Sequence, residues 1–228
     1  MSSQMVGIID AGFITRSGRF LLGNPTLMFE PEELVGWLHS SALRMGVRFL
    51  RAYWYDGAYE PGSPHFQQQR EKFARLESCP GLQLRLGHLQ KRKFDYKPAL
   101  RRAAGEMGID YQELMRHFQP EAIYQQKGVD SLIVLDMVRL VQQGACSHVM
   151  LMAGDRDLAE SVRAVQQLGA TVTLAFPKGA PVATEVRNLA DEVVTWSPEA
   201  VERLTKPFMK RFGDLLGYDP DDDEDGPS

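Results

Sequence analysis

The chain has 228 residues, 43% of them hydrophobic and 25% charged. That balance is ordinary for a soluble globular protein of one large domain, long enough to bury most of its apolar surface without cross-links. Its two cysteines, Cys79 and Cys146, lie far apart and outside any CxxC or Cys/His cluster, which excludes a disulfide framework and a zinc site. The N-terminal MSSQMVGIID lacks the charged and apolar regions of a signal peptide, and no apolar run approaches the roughly 18 residues of a membrane span. No membrane partner is expected, and the cytoplasm is the expected location.

The net charge of −4 is unevenly spread. Residues 219–225 hold six acids, and without them the rest of the chain carries +2. Such a block of like charge repels itself and is expected to be a disordered acidic tail over 219–228. The mildly basic body leaves a nucleic-acid partner open.

In chain order, MVGIID (5–10) reads as a buried strand ending in an acid, and 13–29 as a loop carrying Arg16 and Arg19. Pro31-Glu32-Glu33 opens a helix that Gly46 stops. VRFLRAYWY (47–55) alternates as a second strand closed by Asp56-Gly57, with Tyr53-Trp54-Tyr55 read as sheet core. A helix over 65–77 and a strand at Leu82, Leu84 and Leu86 follow. Residues 88–125 carry the basic run Lys91-Arg92-Lys93 and read as a basic insertion, part loop and part helix. A helix then starts at Asp130, with Leu132, Ile133, Leu135, Val138, Leu140 and Val141 as its apolar face. The strand 148–153, the turn Gly154-Asp155-Arg156-Asp157, a helix over 158–168 and a β-branched strand over 171–176 come next. A short helix (184–189) and a last strand (192–196) complete the pattern. Strands alternating with helices imply βαβ units and a mostly parallel sheet, with functional groups at the carboxyl ends of the strands.

Two of these strands end in acids, at Asp10 and at Asp155/Asp157, and Asp130 opens a helix near the same edge. Converging carboxylates raise one another's pKa unless a cation lies between them. Oxygen ligands suit Mg2+ or Mn2+, which activate water and offset charge on a phosphodiester. Each acid also has a bland role: a turn bond for Asp10, a helix N-cap for Asp130 and for Asp155 or Asp157. Asp136 lies six residues beyond Asp130, about 120° away around a helix, and reads as either a supporting group or part of a solvated face. Asp56 ends a strand too, but Asp-Gly is a generic turn signal.

Lys127-Gly128-Val129-Asp130, Leu135-Asp136, Leu151-Met152-Ala153-Gly154-Asp155-Arg156-Asp157-Leu158 and Leu168-Gly169-Ala170-Thr171-Val172, with Ile8-Ile9-Asp10 ahead of them, resemble the NYN domain in its LabA-like branch. The resemblance covers roughly residues 5–197. It implies membership of the PIN-like nuclease superfamily, a three-layer α/β/α sandwich, a Mg2+ or Mn2+ site and RNA as substrate. Residues 1–197 would then be the nuclease domain and 198–218 a C-terminal extension. Three departures stand out: Asp10-Ala11-Gly12-Phe13 lacks the family's Asn, Ala153 replaces a Ser, and Leu158 replaces a Phe.

The resulting expectation is a metal-dependent endonuclease with Asp10, Asp130, Asp155 and Asp157 as catalytic and metal-holding residues. RNA is favoured over single-stranded DNA. Lys127, Arg16, Arg19, Lys91, Arg92 and Lys93 are candidates for holding phosphate, against a bland role as solvated charges. The tail could compete with nucleic acid for that basic surface or simply solubilise the chain. The alternative is a binding module with this fold and little or no cleavage; a metal-dependent phosphatase is a third class. An aspartyl-nucleophile phosphatase would want a second acid after Asp10, which is absent, and no P-loop or GxGxxG occurs. Exposed edge strands admit a homodimer.

Overall fold

The computed structural model describes residues 3–91, 96–117 and 124–206. Its centre is a seven-stranded sheet. The strands are β1 (Gln4–Asp10), β2 (Arg48–Ala58), β3 (Leu82–Lys91), β4 (Tyr124–Lys127), β5 (His148–Met152), β6 (Thr171–Pro177) and β7 (Glu192–Trp196). They lie in the order β4-β3-β2-β1-β5-β6-β7. Six are parallel and β4 alone is antiparallel, at one edge. From central β1 the chain winds outward through β2 and β3, then returns to the other side of β1 for β5, β6 and β7. The crevice between β1 and β5 is therefore the switch point where the strand order reverses, the place such sheets offer a ligand.

Helices cover both faces. α1 (Ala11–Leu22), α2 (Pro31–Arg44) and α3 (Phe66–Ser78) precede α4 (Lys97–Met107) and α5 (Tyr111–His117). α6 (Val129–Gln142), α7 (Ala159–Gln167), α8 (Thr184–Leu189) and α9 (Pro198–Thr205) follow. α1 and α3 face the Trp54 side of the sheet, while α6 meets the Tyr55 side. α9 packs on α1 and α2, buries Val201 and Leu204, and accepts Glu30 N–H at Leu204 O over 2.9 Å. The fold is thus a three-layer α/β/α sandwich with a mostly parallel sheet. Among the described residues no helix is long and apolar enough to cross a membrane.

The core is β-branched and aliphatic on both sheet faces, as a doubly covered parallel sheet requires: Val6, Ile8, Ile9, Val149, Met150 and Leu151 are all essentially inaccessible. Tyr53, Trp54 and Tyr55 are buried too.

Three expectations change. Residues 11–22 form α1, not a loop: Gly12, Ser17 and Gly18 hide the helical period, yet Gly18 is where α1 packs, since a Cβ there would come within 3.0 Å of Phe29. On α6 the inward face is Val129, Ile133, Asp136, Met137 and Val141, whereas Leu135 is 60% exposed. In 88–125, β3 runs on to Lys91 and pairs with β4, with α4 and α5 between them. Arg92, Lys93 and the acidic tail lie outside the described residues.

Candidate active site at the carboxyl ends of β1 and β5

β1 and β5 run in register to Ile9 and Met152, so the residues just beyond them emerge side by side. Asp10 follows immediately and caps α1, its Oδ1 accepting Phe13 N–H at 3.0 Å. The expected turn bond is therefore real, and the carboxyl still lines the crevice. Beyond β5, Gly154 passes so close to α1 that a Cβ would lie 2.5 Å from the Phe13 ring. The Gly154 carbonyl also accepts Ala183 N–H at 2.9 Å, fixing the loop before α8 over the turn. Asp155 then caps a single 3-10 turn (Arg156–Leu158), accepting Asp157 N–H at 3.0 Å.

Asp130 comes from the opposite side, in the first turn of α6. Gly128 opens that helix at φ 79°, a conformation few side chains tolerate. Gly87 on β3 lets it approach: a Cβ there would lie 2.6 Å from Lys127 O.

These acids act on one another. Burial pushes the Asp10 carboxyl up to about 6, with Asp130 adding repulsion and the Phe13 and Gly12 amides and Arg16 pulling the other way. Partial burial also raises Asp130, and Asp155 and Asp157 raise it further while Arg16 opposes them. Four carboxylates from three separate segments thus share one electrostatic neighbourhood. Among the described residues, however, no three acids, histidines or cysteines converge tightly enough to form a preassembled ion cage. Donor chemistry and geometry meet if the ion keeps much of its water, as Mg2+ does when one or two carboxylates bind it directly.

The two other candidate acids are placed elsewhere. Asp136 is neither solvated nor at the crevice: it is buried on α6, accepts the Tyr55 hydroxyl at 3.0 Å and lies 3.2 Å from Arg85 Nε. Burial and this carboxylate push the Tyr55 hydroxyl above its ordinary range, so it serves as a donor. Since Tyr55 pairs in register with Asp10, Asp136 buttresses the strand behind the site. Asp56 turns to the opposite face, accepting Gly57 N–H at 2.8 Å and pairing with Lys72 of α3 at 2.8 Å.

The crevice opens into a cleft of about 840 Å3 lined by Asp10, Phe13, Arg16, Phe20, Asp155 and Arg156, with Pro181 and Val182 opposite. Of the phosphate-holding candidates, Arg16 lies on this wall and Lys127 is exposed three residues before Asp130. Arg19 is turned away: its Nε donates to Leu27 O at 3.0 Å, and it lines a separate small cavity beside Glu30 and Arg75. Lys91 ends β3. Sequence reasoning missed Phe20, and Arg156 held by Glu185 at 2.9 Å. A helix starting at Asp10 would have exposed Phe20, because Phe13, Arg16, Ser17 and Phe20 share one face at helical spacing.

Residues 42–197 match the family model described as NYN domain. Asp130, Asp155 and Asp157 fall inside the match; Asp10 and α1 precede it. The chain is 40% identical over 82 residues to the uncharacterized protein y4oD of Sinorhizobium fredii, covering 35% of this chain and 38% of that one. A crystal structure of a Vibrio parahaemolyticus protein of unknown function superposes with TM-score 0.49 at 15% identity, over 85% of this chain and 93% of the other.

Proposed function

The chain belongs to the NYN domain family, a branch of the PIN-like nucleases, and from that premise we propose that it is a metal-dependent endonuclease of the LabA-like type that cuts RNA. The observation that carries the reading is that Asp10, Asp130, Asp155 and Asp157 come from the carboxyl ends of β1 and β5 and the first turn of α6, where burial first and neighbouring acids second raise Asp10 and Asp130. Carboxylates held in mutual repulsion cost stability, and a hard dication relieves that cost.

We assign Asp10, Asp130, Asp155 and Asp157 to hold Mg2+ or Mn2+. When bound, the ion would activate water for attack and offset charge on the phosphodiester. The protein's own part is positioning. Asp10 is fixed by the α1 cap, Asp155 by its own turn, and Asp130 by the start of α6. Arg16, exposed beside Asp10, gives a phosphate its counter-charge. Because Asp10 titrates near 6 without metal, ion loading displaces a proton, and affinity rises with pH through that range. We place the protein in the cytoplasm, where the buried free thiols Cys79 and Cys146 stay reduced.

The test is cleavage of labelled RNA and labelled single-stranded DNA with Mg2+, with Mn2+ and with chelator. Cutting that needs the ion and is lost in Asp155→Asn and Asp10→Asn supports the reading. Cutting that persists in both variants removes the site. Tight binding with no cutting under any ion favours a binding module instead.

A further inference from the structure

Phe20 is 80% exposed, an unusual position for a phenyl ring on a well-packed helix. The packing of α1 does not use it: the buried residues are Ala11, Phe13, Ile14, Ser17 and Gly18. Seven positions separate Phe20 from Phe13, nearly two full turns, so both point to the same side. Arg16 sits one turn earlier on that side. Helical side chains lean toward the N-terminus, which tilts the Phe20 ring back over Arg16 and the cleft.

We propose that Phe20 is a base-stacking residue: it receives an unpaired base of the single strand whose phosphodiester lies at the acids, with Arg16 holding the phosphate between. The proposal rests on the nuclease reading above. The cleft of about 840 Å3 has the size of a small-ligand site. The order along α1 matches a nucleic-acid strand: the Asp10 carboxylate at the cap, a cation one to two turns on, then an apolar ring. Arg16 makes no ion pair at contact distance among the described residues; it acts on Asp10 and Asp130 from further off, and its exposed guanidinium can meet a phosphate directly. Pro181 and Val182 also line the cleft and add apolar surface for the base, and Arg156, paired with Glu185, lines it too. Asp10 and Phe20 are ten residues apart, about 15 Å of helix. The stacked base therefore belongs to a nucleotide beyond the one being cut. A base within a duplex already has both faces covered, so the subsite selects single strands or splayed loops.

The experiment is fluorescence anisotropy in chelator, with a short fluorescein-labelled single-stranded RNA, for wild type, Phe20→Ala, Phe20→Trp and the control Leu43→Ala. Leu43 is also exposed, but near the end of α2, beside Ser3 and Arg48 at the amino ends of β1 and β2. Since Phe20 is exposed, its truncation leaves the core intact. Phe20→Ala is expected to weaken binding about tenfold, within the range for one stacked base. Phe20→Trp restores binding, and RNA quenches the new indole. Replacing one nucleotide at a time by an abasic sugar should find a position where wild type loses affinity and Phe20→Ala does not. Equal affinities for wild type and Phe20→Ala overturn the subsite. So does a change in oligomeric state on size exclusion with RNA affinity unchanged, which would make Phe20 an interface between copies. Metal-dependent cutting together with equal affinities sinks the subsite and leaves the nuclease standing. Phe20-dependent binding without cutting supports the subsite and sinks the nuclease. No wild-type binding at low salt sinks the subsite, and the nuclease then stands or falls on the cleavage assay with Mg2+ and Mn2+.

Discussion

Two groups of acids flank the same central strands and are handled in opposite ways. Asp136 and Asp56 are buried on either face of β2, and each meets a cation within about one contact distance: Arg85 at 3.2 Å and Lys72 at 2.8 Å. Asp136 also receives the Tyr55 hydroxyl. At the carboxyl ends of β1 and β5, burial raises Asp10 and Asp130, Asp130 repels Asp10, Asp155 and Asp157 repel Asp130, and Arg16 is the cation acting on Asp10 and Asp130. Compensated acids hold a fold together, whereas acids left in repulsion at a crevice ask for something the chain does not contain. The comparison separates carboxylates with a cation at contact distance from the four assigned above to the proposed metal site, which residue type alone cannot do.

The sharpest way to break the comparison is to neutralise one member of each group. Asp155→Asn should lower cleavage of RNA by at least about 100-fold while leaving the melting temperature within a degree or two, because its loss affects charge at the crevice and not packing. Asp136→Ala should do the reverse. It strands Arg85 and the buried Tyr55 hydroxyl, and should cost about 2–4 kcal/mol in urea unfolding, lessened by the partial exposure of Arg85. Cutting in the folded fraction should survive; loss of cutting without loss of stability would move Asp136 into the functional group.

Asp10→Asn tests the cost of burying that charge, to which Asp130 adds. The Asp10 carboxyl titrates at about 6 in the folded chain against an ordinary value of 3.8. The folded state therefore holds the proton more tightly between those values. Stability falls as pH rises through that window and stays lower above it. Asparagine keeps the cap to Phe13 N–H without the charge. The metal-free variant should thus be more stable than wild type at pH 7.5, by at most about 3 kcal/mol at roughly 1.4 kcal/mol per pH unit. The advantage should vanish near pH 4 in thermal melts across that range. A variant less stable than wild type at pH 7.5 would show that the acid is structural. The smallest effect is Lys72→Met, which should cost under about 1 kcal/mol and leave cleavage unchanged, since Asp56 keeps the Gly57 amide.

Much of the arrangement is legible in the sequence. Strand-end acids at Asp10 and Asp155 announce themselves because a buried apolar run that stops in Asp leaves a carboxylate at the carboxyl edge. The start of α6 is readable to within a residue of Asp130, although Gly128 and not Asp130 is its N-cap and Leu135 leaves the expected apolar face. The α1 segment was not, because Gly12, Ser17 and Gly18 interrupt the helical pattern for packing reasons visible only across the chain, at Phe29. That error concealed Phe20 and left Arg19 looking available. Asp136 stays open between a supporting group and a solvated face in the sequence for a related reason: rotation around the helix separates it from Asp130, but Arg85 and Tyr55, its partners, come from other strands and are silent in a local reading.

The most direct test of the central claim is calorimetric titration of Mn2+ into the wild-type protein and into Asp10→Asn with Asp155→Asn combined, at pH 7.5. The account predicts saturable binding to wild type, weakening as pH falls toward 6, and its loss in the double variant with the fold intact. Equal Mn2+ binding by both proteins would contradict it.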